Sequence, residues 1–459
     1  MSSSDRAGIA GGSGPSPQAV RGTRSQALWL ATLGFFGGFA GVSIFGPMVP
    51  KFSQLLALGP FEAGVLAAIP SLTGSLLRIP FGAAVERLGG RRPFLALLGL
   101  ANAGVLGLLL LLATAYPAHM AGTYWLLLAL GALIGCGIAT FSVGIAQVSY
   151  WFPKRDQGGA LGTYAGLGNT SPGASTLVLP IVVGSIGMLG AYAIWFAVLL
   201  AVTIVYGLLV RDAPWFQLRG GPQPVDSARL VDLGGSDLVP GGGAIDGLRR
   251  AAAVPGTWAL VFFYFLSFGG FLAFTSWLPT FWHEMYGSDL RSAGVLAAAF
   301  ALISALVRVP GGLLSDRLSI RHALSLNFVL MLAGTLVLAL SGSFWLSLGA
   351  TIAVALGMGL QNAIVFKLLP SYVPGAGGGA SGWIGGLGAL GGFVIPPLMG
   401  VGTGLLGGPE AYARGFLPFA ALIVPAFPVV WWLERWSVGR RQPTRVSGLP
   451  VDRPAGPPT

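Results

Sequence analysis

The chain has 459 residues, of which 54% are hydrophobic and only 9% charged. That composition excludes an ordinary soluble fold, and its repeated apolar runs of about 20 residues fit membrane-spanning helices. The formal net charge of +11 would suggest nucleic acid for a soluble domain; here the basic residues follow membrane side, so the expected partner is the lipid bilayer and not nucleic acid. The runs are continuous in Leu, Ala, Gly, Val and Phe instead of alternating with period two, which excludes the strands of a barrel.

Residues 1–26 are rich in Ser and Gly without an apolar core and are expected to form a disordered tail, not a signal peptide. Twelve spans follow, at about 27–49, 60–83, 94–115, 123–150, 158–183, 187–210, 256–279, 291–314, 323–342, 344–368, 377–404 and 412–434. The fold class predicted is an all-α polytopic membrane protein. Its domains are two six-helix halves, 27–210 and 256–434, a polar linker at 211–255 and a C-terminal tail at 435–459. Arg6, Arg21 and Arg24 precede the first span; Arg87, Arg91, Arg92, Lys154, Arg155, Arg317, Arg321, Arg435, Arg440 and Arg441 fall on the same side, against Lys51, Arg291 and Arg414 on the other. The positive-inside bias makes both termini cytoplasmic, as expected of a multi-pass protein of the cell's inner membrane.

Cys136 is the only cysteine and lies within a span, which excludes an intramolecular disulfide and a cysteine metal site. His119, His283 and His322 stand at or beyond span ends without ligand spacing. With no catalytic constellation, metal site or cofactor motif, the reading is of a transporter and not an enzyme.

In the second span, LLRIPFGAAVERLGGRR (Leu76 to Arg92) places Arg78 inside an apolar run, where a cation costs several kcal/mol by most estimates. One account is snorkelling, since Arg78 stands about eight residues before Glu86 and its stem could reach the interface. Repetition argues otherwise. Gly64 to Arg91 returns as Gly294 to Arg321 without a gap, mapping Arg78 onto Arg308, Pro80 onto Pro310, Arg87 onto Arg317 and Glu86 onto Asp316. Interface anchoring does not require the same position twice. Two parallel six-helix repeats are the plan of a secondary transporter whose site lies between the halves near the bilayer midplane.

The fifth span contains Gly162-x-x-x-Gly166 and then Asn169 in AGLGNTSPG; its counterpart in the eleventh contains Gly378-x-x-x-Gly382-x-x-x-Gly386. Small residues at this spacing allow close helix approach. They do not account for Asn169, whose buried amide requires partners, either across helices or in a ligand. Pro172 and Gly173 loosen the helix just beyond it.

The loop Gly82-x-x-x-Glu86-Arg87-x-Gly-Gly-Arg91-Arg92, echoed by Gly312-x-x-x-Asp316-Arg317, resembles the signature of the major facilitator superfamily. That resemblance implies a charge-paired cytoplasmic gate built from Glu86, Arg87, Asp316 and Arg317. More narrowly, Phe141 to Gly173 together with Gly378 to Pro397 resembles the paired signatures of the nitrate/nitrite porter family, over about residues 27–434. The resemblance implies substrate binding by Arg78 and Arg308 with Asn169, Phe141, Tyr264 and Phe268. It also implies signature glycines at Gly162, Gly166, Gly168, Gly382, Gly386 and Gly388. Ala165 stands where that family usually has glycine, and Ala389 stands opposite Asn169.

Nitrate and nitrite are thus the expected partners, with no cofactor, and the protein is expected to act as a monomer. A guanidinium offers a rigid planar fork with permanent charge, which suits a planar oxyanion better than an ammonium does. Every Asp and Glu falls in a loop or at a span end, whereas proton-coupled carriers usually hold an ionisable residue within the spans. This favours exchange over the alternatives within the same family, proton symport of nitrate or export of nitrite; Lys367, near the end of the tenth span, is the competing titratable group. A drug or organic-acid carrier would share the two halves with less reason for the paired arginines.

Overall fold

A computed structural model describes residues 20–219, 238, 243–308, 320–374, 377–407 and 410–441. Every regular element among them is helical, as the backbone of a lipid-embedded chain requires. Span 1 runs Arg24–Phe39 and continues through two tight turns, Ala40–Ser43 and Gly46–Met48, into Val49–Leu56. Span 2 is divided into Pro60–Leu76 and Arg78–Leu88, and span 3 is Arg91–Ala115. Span 4 joins Tyr124–Gly135 to Thr140–Ser149 through a tight turn.

Lys154–Leu209 is an almost continuous 56-residue helical stretch, far longer than the ~20 residues that cross a bilayer. It contains spans 5 and 6. The first break is at Asn169–Thr170, between Lys154–Gly168 and Ser171–Leu209. The chain reverses at Gly187, whose φ of 77° and ψ of 172° a side chain would resist. Pro172 lies in the first turn after the upper break, where proline is tolerated because its missing N–H is not needed.

Span 7 is Pro255–Tyr264, a π-helical turn Phe265–Gly269, and Gly270–Tyr286. Span 8 is described as Leu290–Leu306 and on to Arg308. Spans 9 and 10 are Ile320–Leu340 and Phe344–Tyr372. Span 11 is Gly377–Trp383, a second π turn Ile384–Gly388, and Gly391–Leu406; span 12 reaches from Ala411 to Arg441 in three pieces. Among the described residues the start of span 1 meets the end of span 6 at Gln26 and Leu209, and Trp436 near the end of span 12 lies against Gly256 at the start of span 7; the face that holds these segment ends is called the end face below, and the other the far face.

The described helices reach into the segments expected as tails. Thr23 caps span 1 by accepting from Gln26 N, Gln26 Nε2 donates to the Leu209 carbonyl at 3.2 Å, and Arg21 N donates to Gln217 Oε1 at 2.9 Å. Residues 21–26 are thereby tied to the end of span 6 and are not a loose tail. At the other end the helix continues through Arg435 to Arg441; Arg435 lies over the Trp431 ring at 3.5 Å, so its charge is accommodated without leaving the helix.

The two halves are pressed together on the far face. A Cβ on Gly64 of span 2 would lie 2.6 Å from the Pro396 carbonyl of span 11, and one on Gly294 of span 8 would lie 2.9 Å from the Thr176 carbonyl of span 5. Such backbone-to-backbone approach is available only to glycine. On the end face a helix within the linker, Ala244–Ala252, bridges the halves. Its first N–H, from Ala244, donates to Glu86 Oε2 at 3.0 Å, and Trp383 Nε1 of span 11 donates to the Leu248 carbonyl at 2.9 Å.

Candidate anion-binding site between the halves

Arg78 begins the second segment of span 2 and is 1% exposed. Its Nη1 donates to the Gly385 carbonyl at 3.0 Å, across the boundary between the halves. Its Cζ lies 4.9 Å from the centroid of Phe141 and 5.1 Å from that of Phe268. Nε and Nη2 are buried without a hydrogen-bond partner. These two groups share one edge of the guanidinium, the edge that meets a planar oxyanion with two parallel N–H bonds. Snorkelling is overturned: the side chain turns inward, because bonding to a carbonyl and two aromatic faces is available there.

Arg308 stands at the described end of span 8, partly exposed, with its Cζ also 5.1 Å from the Phe268 centroid. One aromatic ring thus serves both cations, which lie no farther apart than twice that distance and within Coulombic range of one another. The Tyr264 hydroxyl lies close to the Arg308 guanidinium, and the Tyr264 ring stacks on Phe268 at 4.8 Å. Phe268 belongs to the π turn of span 7 and is fully buried, stacked in turn on Phe39 of span 1. π turns are rare and recur at functional sites because they redirect side chains that a regular helix would place elsewhere.

The second π turn, in span 11, supplies the Gly385 carbonyl that holds Arg78. Two of its three glycines are under contact: a Cβ on Gly386 would lie 2.5 Å from Ile79, next to Arg78, and one on Gly388 would lie 2.8 Å from the Tyr264 ring, whereas one on Gly385 would meet nothing within 4 Å. Gly382, in the helix just before the turn, faces Leu248 of the linker helix at 3.1 Å. In span 5 a Cβ on Gly168 would overlap the Phe35 ring, which lies 5.3 Å from Phe141. Gly162 and Gly166 differ. A Cβ on either would meet nothing within 4 Å, so the expected close packing of that small face is not formed. The break at Asn169–Thr170 explains it, because the contact with span 8 is made by the far-face segment, where Gly173 meets Leu302 at 2.9 Å.

Asn169 is fully buried at that break. Its Nδ2 donates to the Ala165 carbonyl of its own helix at 2.6 Å, while Oδ1 is buried and unpaired. It makes no hydrogen bond to either arginine and none across helices; its link to the site runs through neighbouring Gly168 and Phe35. Of the gate residues, Glu86 is bonded to the linker helix and Arg87 is exposed, whereas Asp316 and Arg317 lie outside the described residues. Lys367 is exposed at the end face of span 10.

Sequence reading misses three contributors. Tyr164, fully buried, shares its hydroxyl proton between the carbonyls of Thr140 and Phe141, at 2.9 and 3.2 Å, and so fixes the backbone that presents Phe141. Phe35 stacks on Tyr164 at 5.1 Å. Phe366 meets Tyr264 edge-on at 5.1 Å. An isolated aromatic in an apolar span carries no signal of its own, though Tyr164 lies within the quoted signature run.

Among the described residues no group of His, Cys, Asp or Glu could hold a metal ion. What the site offers is two permanent cations, an unpaired N–H edge and an aromatic lining in a low-dielectric interior, a combination suited to one small anion.

The model of the Major Facilitator Superfamily matches residues 31–396. A probable nitrate/nitrite antiporter of Thermus thermophilus is 31% identical, with 85% of this chain and 88% of that one covered. A probable nitrate/nitrite transporter of Mycobacterium tuberculosis is 31% identical over 82% and 87%, and a nitrite extrusion protein of Bacillus subtilis 29% over 88% and 93%. In fold, the chain is similar to a bacterial homologue of the human lysosomal transporter Spinster in an inward-facing, occupied conformation, with a TM-score of 0.68 and 15% identity over 93% of this chain and all of that one. Two six-helix halves sealed by glycine on one face define a carrier of the major facilitator kind. The chain belongs to the Major Facilitator Superfamily and, within it, to the nitrate/nitrite porters.

Proposed function

We propose that this protein exchanges nitrate for nitrite across the cell's inner membrane by alternating access, with both termini in the cytoplasm. The observation that carries the reading is the edge of Arg78: Nε and Nη2 are buried and unpaired on a guanidinium that lies against Phe141 and Phe268, and Arg308 lies against the same Phe268 ring. One planar monovalent anion bound there takes the free edge of Arg78 and offsets its repulsion with Arg308. Phe141, Phe268 and Tyr264 restrict the space to small, weakly hydrated ions. Asn169, with its Oδ1 unpaired, orients the segment that carries Gly168 and contacts the anion only after its amide leaves the Ala165 carbonyl.

Exchange follows from charge. Two cations that lack a counter-ion resist being enclosed in low dielectric, so the loaded protein switches sides and the empty one does not. The names of the relatives from Thermus thermophilus and Bacillus subtilis support the choice of solutes. The excess of Lys and Arg on the end face supports the cytoplasmic placement of the termini. Counterflow of labelled nitrate into proteoliposomes loaded with nitrite tests the proposal; entry that is independent of internal anion would overturn exchange, and no entry under any gradient would overturn the choice of solute.

A further inference from the structure

Span 10 holds two adjacent buried amides. Gln361 accepts a hydrogen bond from Asn327 Nδ2 of span 9 at 3.2 Å and belongs to the packing of those two helices. Asn362 takes no part in that bond. Gly359, Asn362 and Phe366 are spaced by three and four residues, and so share one face of the helix. At one end of that face Gly359 presses on the Val307 side chain and the Ser304 carbonyl of span 8, immediately before Arg308. At the other, Phe366 meets Tyr264, which stacks on Phe268, the ring that Arg308 lies over. Asn362 therefore sits between two contacts that bracket Arg308.

Asn362 is 3% exposed, and both its Nδ2 and its Oδ1 are buried without a partner; Ser304 Oγ, one turn before Arg308, is buried and unpaired as well. An amide with all its hydrogen-bonding capacity unused in a membrane interior is unfavourable. Leucine, with the same branching of heavy atoms, would carry no such penalty. The conformation in hand thus leaves a donor and an acceptor unpaired on the face of span 10 that meets spans 7 and 8.

We infer that Asn362 is a further anion-binding residue: its Nδ2 donates to the oxyanion held between the arginines, while its Oδ1 accepts an N–H of Arg308 and sets that fork. The inference rests on the anion-exchange reading above. A neutral amide is suited to the task, since it adds a donor for a deprotonated anion without a third charge, and a carboxylate at the same position would repel the solute.

The test compares wild-type protein with Asn362→Leu, Asn362→Ala and Asn362→Asp, measuring accumulation in the membrane, the rise in melting temperature caused by added nitrate, and KM and maximal rate for exchange. The expected result is normal accumulation of the Leu and Ala variants with KM raised roughly tenfold or more, as for loss of a hydrogen bond to a charged group, and no stabilisation of the Asp variant by nitrate. Should the Leu variant fail to accumulate, the Ala variant, which only removes atoms, gives the same reading. An unchanged KM in a well-folded Leu or Ala variant would overturn the role of Asn362 and leave a packing or buried-water role. A wild-type protein that nitrate neither stabilises nor crosses would instead remove the anion reading and this inference together.

Discussion

Replacing Arg78 by lysine would keep a positive charge beside Phe141 and Phe268 but remove the paired Nε and Nη2 edge, and an ammonium cannot at once bond the Gly385 carbonyl and grip a planar anion from the side. Arg78→Lys and Arg308→Lys are each expected to insert and accumulate normally while losing nitrate affinity by at least roughly tenfold, the worth of one charge-assisted hydrogen bond; thermal stabilisation by nitrate reads this directly. Near-normal affinity in either variant would return the arginine to a structural role. The arginines were legible because the chain repeats them at the same place in both halves. Asn362 was not, although it is as polar as Asn169 and lies in as apolar a span: only the fold reveals that its amide is unpaired and that its neighbours bracket Arg308. Asn169 was legible as a buried amide, but its bond to Ala165 within its own helix depends on where the helix breaks.

At the level of helices, the apolar runs and the gapless repeat from Gly64 to Arg91 and Gly294 to Arg321 made the two-half plan readable. The two π turns were hidden, because FLSFG and IGGLG look like ordinary span interior until tertiary contacts decide their hydrogen bonding. The same limit affected the glycines, whose spacing is identical whether the face they form is packed or open. Glycine position therefore predicts unequal effects. Gly388→Ala would place a Cβ 2.8 Å from Tyr264 and displace the ring that stacks on Phe268, whereas Gly162→Ala would meet nothing within 4 Å. Exchange assays should show a several-fold loss for the first and wild-type rates for the second; equal losses would refute this assignment of the contacts. The linker helix offers a separate case, since Gly379 lies directly against the Gly247 carbonyl. Gly379→Val should lift Ala244–Ala252 from span 11, and hydrogen exchange of its amides should quicken while that of span 3 stays unchanged.

For the whole molecule the question is what permits the far face to open. The glycine contacts of spans 2 and 11 and of spans 5 and 8 must separate, and the two cations must then be exposed to the other side. If only a bound anion makes enclosure of Arg78 and Arg308 tolerable, efflux of preloaded nitrite should be slow until nitrate or nitrite is added outside, and either anion should trigger it. Such an exchange would move one monovalent anion each way and so be electroneutral. A membrane potential should then leave the rate nearly unchanged, although a single net charge crossing would feel roughly 2.3 kcal/mol per 100 mV. A proton symporter would acidify the interior as nitrate enters and would accumulate nitrate under an imposed inward proton gradient without any counter-anion. Internal pH recorded in nitrite-free liposomes during nitrate addition separates the two mechanisms: a flat trace is expected, and sustained acidification accompanying net uptake would replace exchange with proton coupling and direct attention to Lys367, the titratable group at the end of the span that also carries Asn362 and Phe366.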